Sequence, residues 1–427
     1  MPPIRPTASR LLRSVVAGRA WTALAPVLGR VLGRLLPAVP GRVVLVPPAG
    51  PGSLGDDALL TVLVAELAPG HDLRVADVTR KHDRDPAGAG LVPGPSLTRA
   101  LRGFPPRGWW TLLRARPEAV VVVGADVMNG YYSDWRSARR WDLLSVVGAA
   151  GRAAHAVGFS WPEPDGCGPA SVAAARRAVG VRSSCRDPVS ARRFASTTGH
   201  EVAVGADVAF LLAPDLDAAP VAPVARWAEA RRSAGRHPVA LNLNGLILGD
   251  PDDEPGRVTA LADGVVTLAG AGIDVVLLPH DTRDGAGDRA WAAAVHAALA
   301  GRAPATLVAA PARAAQAKAM VAVVDAVAAG RMHLAIGALG VGTAVGLHDY
   351  QGKVEGLAAL FPGADLRVAL PVDRWCAELP RTVGALVTTA PDRAAAIVAA
   401  RPVVVDQARS LVDEVVATLH ANRSLRG

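Results

Sequence analysis

From Arg42 onward, short runs of valine, isoleucine and leucine alternate with longer stretches of helical character. This alternation predicts parallel β-sheets covered by helices, because a strand buried on both faces is apolar throughout and its parallel neighbour is reached through a crossover helix. The first half of the chain contains six strand candidates: Val43–Val46, Leu73–Val78, Ala119–Val123, Ala154–Phe159, Gly180–Ser183 and Val202–Val204. The second half contains six more: Val239–Leu243, Ile273–Leu278, Thr306–Val308, Ala322–Val327, Thr343–Leu347 and Leu366–Val368.

The length of 427 residues exceeds what one hydrophobic core usually organises, so two domains are expected. Residues 214–223 are rich in Pro, Ala and Asp and predict a linker between the two series of strands. We therefore predict an α/β fold with an N-terminal domain over residues 42–213 and a C-terminal domain over residues 214–427. Both are expected to be Rossmann-like and to face a cleft, and the last helices are candidates to pack back on the first domain.

Residues 1–41 are predicted to form a basic amphipathic helical arm. Seven arginines precede the first acidic residue, Asp56: Arg5, Arg10, Arg13, Arg19, Arg30, Arg34 and Arg42. Apolar residues recur between them at helical spacing, with a break expected at Pro26. Arginine interrupts this apolar run too often for a membrane-spanning helix. Two alternatives stay open: a helix lying on an anionic membrane surface, and a helix packed on the protein or on a second copy in an oligomer.

The three cysteines are widely separated: Cys167, Cys185 and Cys376. No Cys-x-x-Cys spacing or Cys/His cluster accompanies them, so neither a disulfide framework nor a metal site is expected, and a reducing cytoplasm fits best. The basic residues lack interleaved aromatics and any nucleic-acid-binding motif. Nucleic acid is therefore not an expected partner.

A glycine-rich turn with the sequence Gly-Pro-Gly-Ser-Leu-Gly follows the first predicted strand and leads into a helix. Ligands of parallel sheets bind beyond the carboxyl ends of strands, and glycine lets the backbone approach a ligand closely. Gly55 and Asp56 are the candidate binding residues, and Ser53 or Asp56 is expected to cap the helix. The turn matches neither the Walker A nor the complete dinucleotide pattern, so an ordinary tight turn is the alternative.

Two further strand ends in the first half carry charged residues. Asp126 is a candidate to bind sugar hydroxyls or act as a base, or else to cap the next turn. Arg186 is a candidate to bind an anion, or else to form a buried ion pair with a carboxylate such as Asp207. Asp187 is predicted to be the N-cap of a helix whose first turn contains Pro188.

In the second half, Arg331 and His333 stand two positions apart, after an apolar run and before a helix of small residues. The backbone N–H groups of a helix N-terminus favour an anion. Arginine adds a planar fork of donors suited to carboxylate or phosphate, and histidine exchanges a proton near neutral pH. The pair predicts a site that holds an anion and moves a proton, with a structural salt bridge and an interior histidine as the alternative.

Polar side chains also follow two neighbouring predicted strands. His280 comes after Ile273–Leu278 and either contacts substrate or holds the turn through Asp281. Tyr350 and Lys353 follow the strand that ends at Leu347 and are further candidates for substrate binding. These residues would face the same strand-end region as the arginine and histidine pair.

In their order along residues 42–375, these segments resemble the polysaccharide pyruvyl transferase family. Seven segments carry the resemblance: Gly52–Leu60, Val122–Asp126, Arg186–Ser190, Gly205–Phe210, Leu278–Asp281, Gly330–Ile336 and Asp349–Lys353. The resemblance implies the two-domain arrangement of GT-B glycosyltransferases. It also implies that phosphoenolpyruvate is the donor substrate, that no cofactor is needed, and that the product is a pyruvate ketal on a saccharide of the cell surface.

The family pattern implies that Arg186, Arg331 and His333 meet the donor. From the chemistry of ketal formation, we expect Arg186 and Arg331 to orient the donor and His333 to act as general acid and base. This chain departs from the pattern at two positions: Ala125 interrupts the glycine run of the family, and Met332 replaces a leucine. Methionine keeps an apolar side chain of similar volume, so that change is expected to matter little. Losing a glycine is expected to narrow the acceptor pocket.

The acceptor side of the reaction is less defined by the sequence. Asp126 is the candidate to activate the acceptor hydroxyl, and the basic arm suggests a lipid-linked saccharide at the inner face of a membrane. Two other functions fit the same architecture: a sugar-nucleotide glycosyltransferase of the GT-B type, and a non-catalytic sugar-binding relative.

Overall fold

The computed structural model describes most of the chain as two compact α/β units. The described residues are 23–49, 52–78, 92–98, 101, 105–178, 180–283, 287–350 and 352–424. The first unit comprises the residues up to Gly50, Leu63–Gly205 and the residues from Ser410 onward, and the second comprises Pro51–Val62 and Ala206–Arg409. The chain therefore crosses between the units more often than one linker would require.

The observed division differs from the predicted boundary between residues 213 and 214. Residues Ala206–Arg409 belong to the second unit, where the Lys318 ammonium group donates to the carbonyl of Phe210 at 3.1 Å. The glycine-rich turn also belongs there, since Ser53 forms an antiparallel bridge with Asp281. Both assignments depend on contacts between residues that are far apart in the sequence. The composition of residues 214–223 cannot reveal such contacts.

The first unit contains a seven-stranded parallel sheet in the order β3-β2-β1-β4-β5-β6-β7. Its strands are β1 (Arg42–Val46), β2 (Asp72–Asp77), β3 (Val92–Ser96), β4 (Ala119–Ala125), β5 (Ala153–Phe159), β6 (Arg182–Cys185) and β7 (Ala203–Val204). Its helices span residues 23–35, Pro105–Arg114, Asp134–Ala149, Pro169–Arg176 and Pro188–Thr198. All seven residues of β4 are buried, as expected of a central strand covered on both faces.

Strand β3 was not among the predicted strands, because its sequence Val-Pro-Gly-Pro-Ser lacks the usual strand residues. It lies at the edge of the sheet, where a proline that cannot donate a hydrogen bond is tolerated. A Cβ at Gly94 would come within 2.5 Å of the Val75 carbonyl oxygen, so glycine permits the close approach of the two strands.

The second unit contains a six-stranded parallel sheet in the order β10-β9-β8-β11-β12-β13. Its strands are β8 (His237–Leu241), β9 (Ile273–Leu277), β10 (Leu307–Val308), β11 (Ala326–Ala329), β12 (Ala344–His348) and β13 (Arg367–Val368). Its helices are Val221–Ser233, Gly245–Leu248, Pro255–Gly270, Asp288–Leu299, Ala314–Ala322, Met332–Val341, Val354–Ala359, Val372–Ala377 and Leu379–Thr388. The strand order reverses between β8 and β11, the point where open parallel sheets bind ligands.

Two helices pass from one unit to the other: Leu54–Leu67 and Ala390–Ser424. The end of the second helix belongs to the first unit, where Thr418 accepts a hydrogen bond from Arg182 at 2.7 Å.

One predicted strand needs correction. Ala322 ends a helix, and the strand begins only at Ala326, because the continuous apolar run has no period that separates the two elements.

The N-terminal arm is described from residue 23 onward, and its earlier part lies outside the described residues. Residues 23–35 form one helix that continues through Pro26, so the predicted break is not seen.

Within the described residues, we find no single helix that is both long and apolar enough to span a membrane. Leu379–Thr388 and Ala390–Ala421, which are bent by 64° at their junction, meet the criteria of length and composition only as a pair.

Candidate functional site

The helix Met332–Val341 begins directly after β11, at the reversal of strand order in the second sheet. Arg331 is its N-cap with an extended backbone conformation, so the helix begins where the sequence predicts a helix N-terminus. The Met332 N–H donates to the Tyr350 hydroxyl oxygen at 3.1 Å, so Tyr350 lies at the start of this helix. The strand ends after β11 and β12 thus bring together the predicted Arg331 and Tyr350.

Arg331 is held by two buried carboxylates. Its Nε and Nη2 donate to Asp288 Oδ1 at 3.1 and 2.8 Å, and Nη2 lies 3.3 Å from Asp281 Oδ2. Burial alone would lower the pKa of Arg331, but the two aspartates reverse this effect and raise it. Arg283 forms a second ion pair with Asp281. The predicted structural salt bridge therefore exists, and it fixes the orientation of the guanidinium group.

Asp288 is the central acceptor of this cluster, although its sequence context does not mark it as a site residue. Its side chain is fully buried. Besides Arg331, Oδ1 accepts the Gly245 N–H at 3.2 Å, and Oδ2 accepts the Asn242 amide at 2.9 Å and the His280 N–H at 3.1 Å. The only signal in the sequence is an acidic residue at the start of a helix, which usually indicates capping.

His280 is buried beside Arg331 and His333. Burial is the main cause that lowers the pKa of His280 to about 3, and the charges of His333 and Arg331 lower it further. Neither ring nitrogen has a hydrogen-bond partner among the described residues. His280 is therefore neutral near neutral pH and is not suited to carry a proton there. Its backbone holds the turn, since its carbonyl accepts the Leu54 N–H at 3.2 Å.

His333 lies one residue inside the same helix, and its ring is oriented by Asp207. The distance from His333 Nε2 to Asp207 Oδ2 is 3.5 Å, and the Asp207 side chain is only 2% exposed. The other oxygen of Asp207 accepts the Ala209 N–H at 2.9 Å, so the carboxylate caps the short helix Val208–Leu211. A histidine whose ring is held by a buried carboxylate is a suitable proton carrier.

Lys318 supports the segment that carries Asp207. Its side chain is buried, and its ammonium group donates to the Phe210 carbonyl at 3.1 Å. Burial is the main cause that lowers the pKa of Lys318 to about 8. This role of Lys318 cannot be predicted from the local sequence, because the carbonyl that it binds is 108 residues away.

The glycine-rich turn packs against His333. A Cβ at Gly55 would lie 2.6 Å from His333 Cγ, with Nδ1 closer still. The turn is joined to the loop after β9 through the Gly52 carbonyl, which accepts the Thr282 N–H at 2.6 Å. Gly52 itself has a φ of +103°, which favours glycine. At Gly55 the backbone thus approaches a side chain of the site closely, and the approach to a ligand stays a prediction.

This packing predicts that Gly55→Ala lowers turnover without unfolding the protein. The new methyl group must displace the His333 ring, and a displacement of about 1 Å reduces a catalytic rate roughly 10²-fold. The rate of phosphate release from phosphoenolpyruvate in the presence of a saccharide acceptor should report the loss. Gly256→Ala is the matched control, since its Cβ meets nothing within 4 Å. Equal rates in both variants would contradict the role assigned to this contact.

The other candidate residues near this helix have defined contacts. Ser53 caps the helix Leu54–Leu67 by accepting the Asp56 N–H at 3.3 Å, and Asp56 lies in its first turn. The Lys353 ammonium group lies 5.2 Å from the centre of the Tyr350 ring.

Within the described residues, no group of three or more His, Cys, Asp or Glu side chains is arranged to hold a metal ion.

In the first unit, Arg186 forms a buried ion pair with Asp126. An ion pair of this kind is the predicted structural alternative to anion binding. Arg186 Nη2 lies 2.5 Å from Asp126 Oδ1, and its Nε donates to Ser160 Oγ at 2.7 Å. Ala125 has a φ of +40°, so the alanine in the family's glycine run adopts a conformation that glycine adopts more readily. The roles of Arg186 at the donor and Asp126 at the acceptor stay predictions.

Asp187 is the N-cap of Pro188–Thr198, as predicted. Its Oδ1 accepts the Ser190 N–H at 2.6 Å, and its Oδ2 accepts the Ser190 hydroxyl at 2.7 Å. This cap fixes the start of the helix that follows Arg186.

Comparison with known proteins supports both the family and the fold. The family model described as polysaccharide pyruvyl transferase matches residues 55–347. A comparison with curated protein sequences finds no match.

Several solved structures share the fold. A putative UDP-N-acetylglucosamine 2-epimerase from Listeria monocytogenes has a TM-score of 0.61 at 11% identity, over 90% of this chain and 97% of that chain. Anabaena HepE in complex with UDP-glucose has a TM-score of 0.54 at 12% identity, over 89% and 99%. The UDP-GlcNAc 2-epimerase from Neisseria meningitidis has a TM-score of 0.55 at 10% identity, over 88% and 100%. These similarities establish a GT-B type of fold.

Proposed function

The chain belongs to the polysaccharide pyruvyl transferase family, and from this premise we propose that it transfers the enolpyruvyl group of phosphoenolpyruvate to a saccharide. The products would be a pyruvate ketal and phosphate. The proposal is based on the start of the helix Met332–Val341, at the strand-order reversal. There Arg331 stands two positions from His333, and the His333 ring lies beside Asp207. We further propose a cytoplasmic enzyme that needs no cofactor, with an acceptor that is a polysaccharide or its lipid-linked precursor.

The donor would be held by Arg331. Phosphoenolpyruvate carries a carboxylate and a phosphate, and the planar guanidinium group binds either with charge-assisted hydrogen bonds. Asp281 already has Arg283 as a second partner. An incoming anion would therefore replace Asp281 at Arg331, while Asp288 keeps the guanidinium group in place. Lys353 and Tyr350 would supply further polar contacts on the same side of the helix start.

The proton would be carried by His333. In the proposed reaction, the imidazolium protonates the methylene carbon as a sugar hydroxyl attacks C2 of the donor. Phosphate then leaves, and a second hydroxyl of the sugar closes the ketal. Of the two hydroxyl protons, one ends on the new methyl group and the other on phosphate, so the histidine is regenerated. Asp126 remains the proposed group for activating an acceptor hydroxyl.

Calorimetry tests the donor assignment before any acceptor is known. We expect phosphoenolpyruvate to bind the wild-type protein, and Arg331→Lys to weaken binding about tenfold or more because lysine lacks the planar fork. Arg289→Lys is the control, since Arg289 is exposed and lies next to Asp288. Binding of UDP-glucose instead would indicate a sugar-nucleotide glycosyltransferase, and binding of neither ligand would indicate a non-catalytic relative.

A further inference from the structure

Among the described residues, the N-terminal helix of residues 23–35 packs on the first unit through one of its two apolar faces. The inner face contacts the core of that unit through four residues: Ala25, Leu28, Leu32 and Leu36. Gly29 and Gly33 bring this face close to the helix Asp134–Ala149, since a Cβ at Gly33 would lie 2.8 Å from the Ala150 carbonyl oxygen. The helix is therefore anchored to the protein before any partner binds.

The second apolar face points away from the protein. We call it the outer stripe, and its members are 44, 51, 51 and 68% exposed: Leu24, Val27, Val31 and Leu35. Their spacing of three and four residues places them on one side of the helix, along about 17 Å of its axis. Single exposed apolar residues are common, but a continuous row on an anchored helix indicates a contact surface.

Positive charge borders the outer stripe on one side. Arg30 and Arg34 are exposed and lie along one edge of it. The first 55 residues contain seven arginines and no aspartate, glutamate or lysine. The end of the helix is fixed, because Arg116 donates to the Pro37 carbonyl at 2.7 Å and Arg152 donates to the Leu36 carbonyl. An anionic surface would therefore meet both apolar and cationic groups in a defined orientation.

We propose that the outer stripe inserts into the surface of a membrane containing anionic lipids. Amphipathic helices bind such surfaces by burying apolar side chains at the level of the headgroups while arginines contact anionic lipid. A second copy of the chain is a poorer partner. A symmetric dimer through the outer stripe would bring Arg30 and Arg34 close to the same residues of the other copy, with no acidic residue in this segment to offset them.

Vesicle flotation with the full-length protein tests this proposal. We expect binding to vesicles of phosphatidylcholine mixed with phosphatidylglycerol, weaker binding to phosphatidylcholine alone, and loss of the difference at high salt, which screens the arginines. Replacing the four residues of the outer stripe by glutamine should lower the bound fraction about tenfold or more. Arg30→Gln with Arg34→Gln should reduce the preference for phosphatidylglycerol about tenfold.

Leu216→Gln with Val403→Gln is the matched control, because both residues are similarly exposed but lie in the second unit. This variant should bind vesicles like the wild-type protein. The proposal is overturned if the wild-type protein does not bind either vesicle, or if the outer-stripe variant binds as well as the wild type. It is also overturned if light scattering shows a wild-type dimer that the outer-stripe variant converts to a monomer. Calorimetric binding of phosphoenolpyruvate should be unchanged in all these variants, so either proposal can fail without the other.

Discussion

Replacing His333 by alanine is expected to lower the rate of phosphate release from phosphoenolpyruvate, measured with a saccharide acceptor present, roughly 10²- to 10⁴-fold. The imidazole is the proposed donor of the proton that converts the methylene of the substrate into a methyl group. Asp207 holds its Nε2 at 3.5 Å and Gly55 packs against the other side of the ring, so a solvent molecule in the vacated space would lack this orientation. The loss should fall on kcat, since Arg331 and its two aspartates remain in place.

Two measurements separate lost chemistry from lost binding or folding. Calorimetry should show that His333→Ala still binds phosphoenolpyruvate within a few-fold of the wild-type affinity, because the anion is held by Arg331. His296→Ala serves as the control, since it removes an exposed histidine from the helix Asp288–Leu299 in the same unit. Phosphate release within a few-fold of wild type in His333→Ala would remove His333 from the mechanism.

The start of the Met332–Val341 helix could be predicted from the sequence because local chemistry decides it. An apolar run ends, a polar residue adopts an extended backbone, and a helix of small residues follows. The cap at Asp187 was predictable for the same reason, since the side chain and the N–H that it accepts are three residues apart. Central strands such as β4 were predictable because burial on both faces requires a continuous apolar sequence.

What the sequence could not predict depends on contacts between distant residues. Asp288 looks like an ordinary residue at the start of a helix, yet it accepts hydrogen bonds from residues up to 46 positions away. Gly55 indicates a close backbone approach, and only the fold shows that the ring of His333 lies beside it. The partner of Arg186 was similarly open, and the structure supplies Asp126. In each case the residue type is informative about chemistry, and only the fold selects the partner.

The buried cluster around Arg331 also constrains how the site works. A guanidinium group with two carboxylates has little net attraction for another anion, but its orientation is fixed before the substrate arrives. Asp281 is shared with Arg283, whose side chain is 51% exposed, so this carboxylate can be released from Arg331 with a second cation still beside it. Asp288 has no such alternative and is 0% exposed. The two aspartates are therefore expected to differ in their contributions to binding and stability.

Asp288→Asn is expected to lower the free energy of unfolding by about 3 to 5 kcal/mol. Both oxygens of Asp288 accept hydrogen bonds, from Arg331 and Gly245 on one side and from Asn242 and His280 on the other. An asparagine side chain has one acceptor oxygen, so its NH₂ group must face N–H donors whichever way the amide is oriented, and the arginine loses its buried counter-charge.

Urea denaturation of the wild-type protein, Asp288→Asn and Asp253→Asn provides the measurement. Asp253 lies on an exposed turn, and its substitution should change the free energy of unfolding by less than about 0.5 kcal/mol. The surviving folded fraction of Asp288→Asn should also bind phosphoenolpyruvate more weakly, since Arg331 is no longer held in one orientation. If Asp288→Asn were as stable as Asp253→Asn, the carboxylate would not be the group that organises the strand ends around Arg331. The proposed donor site would then need a different structural basis.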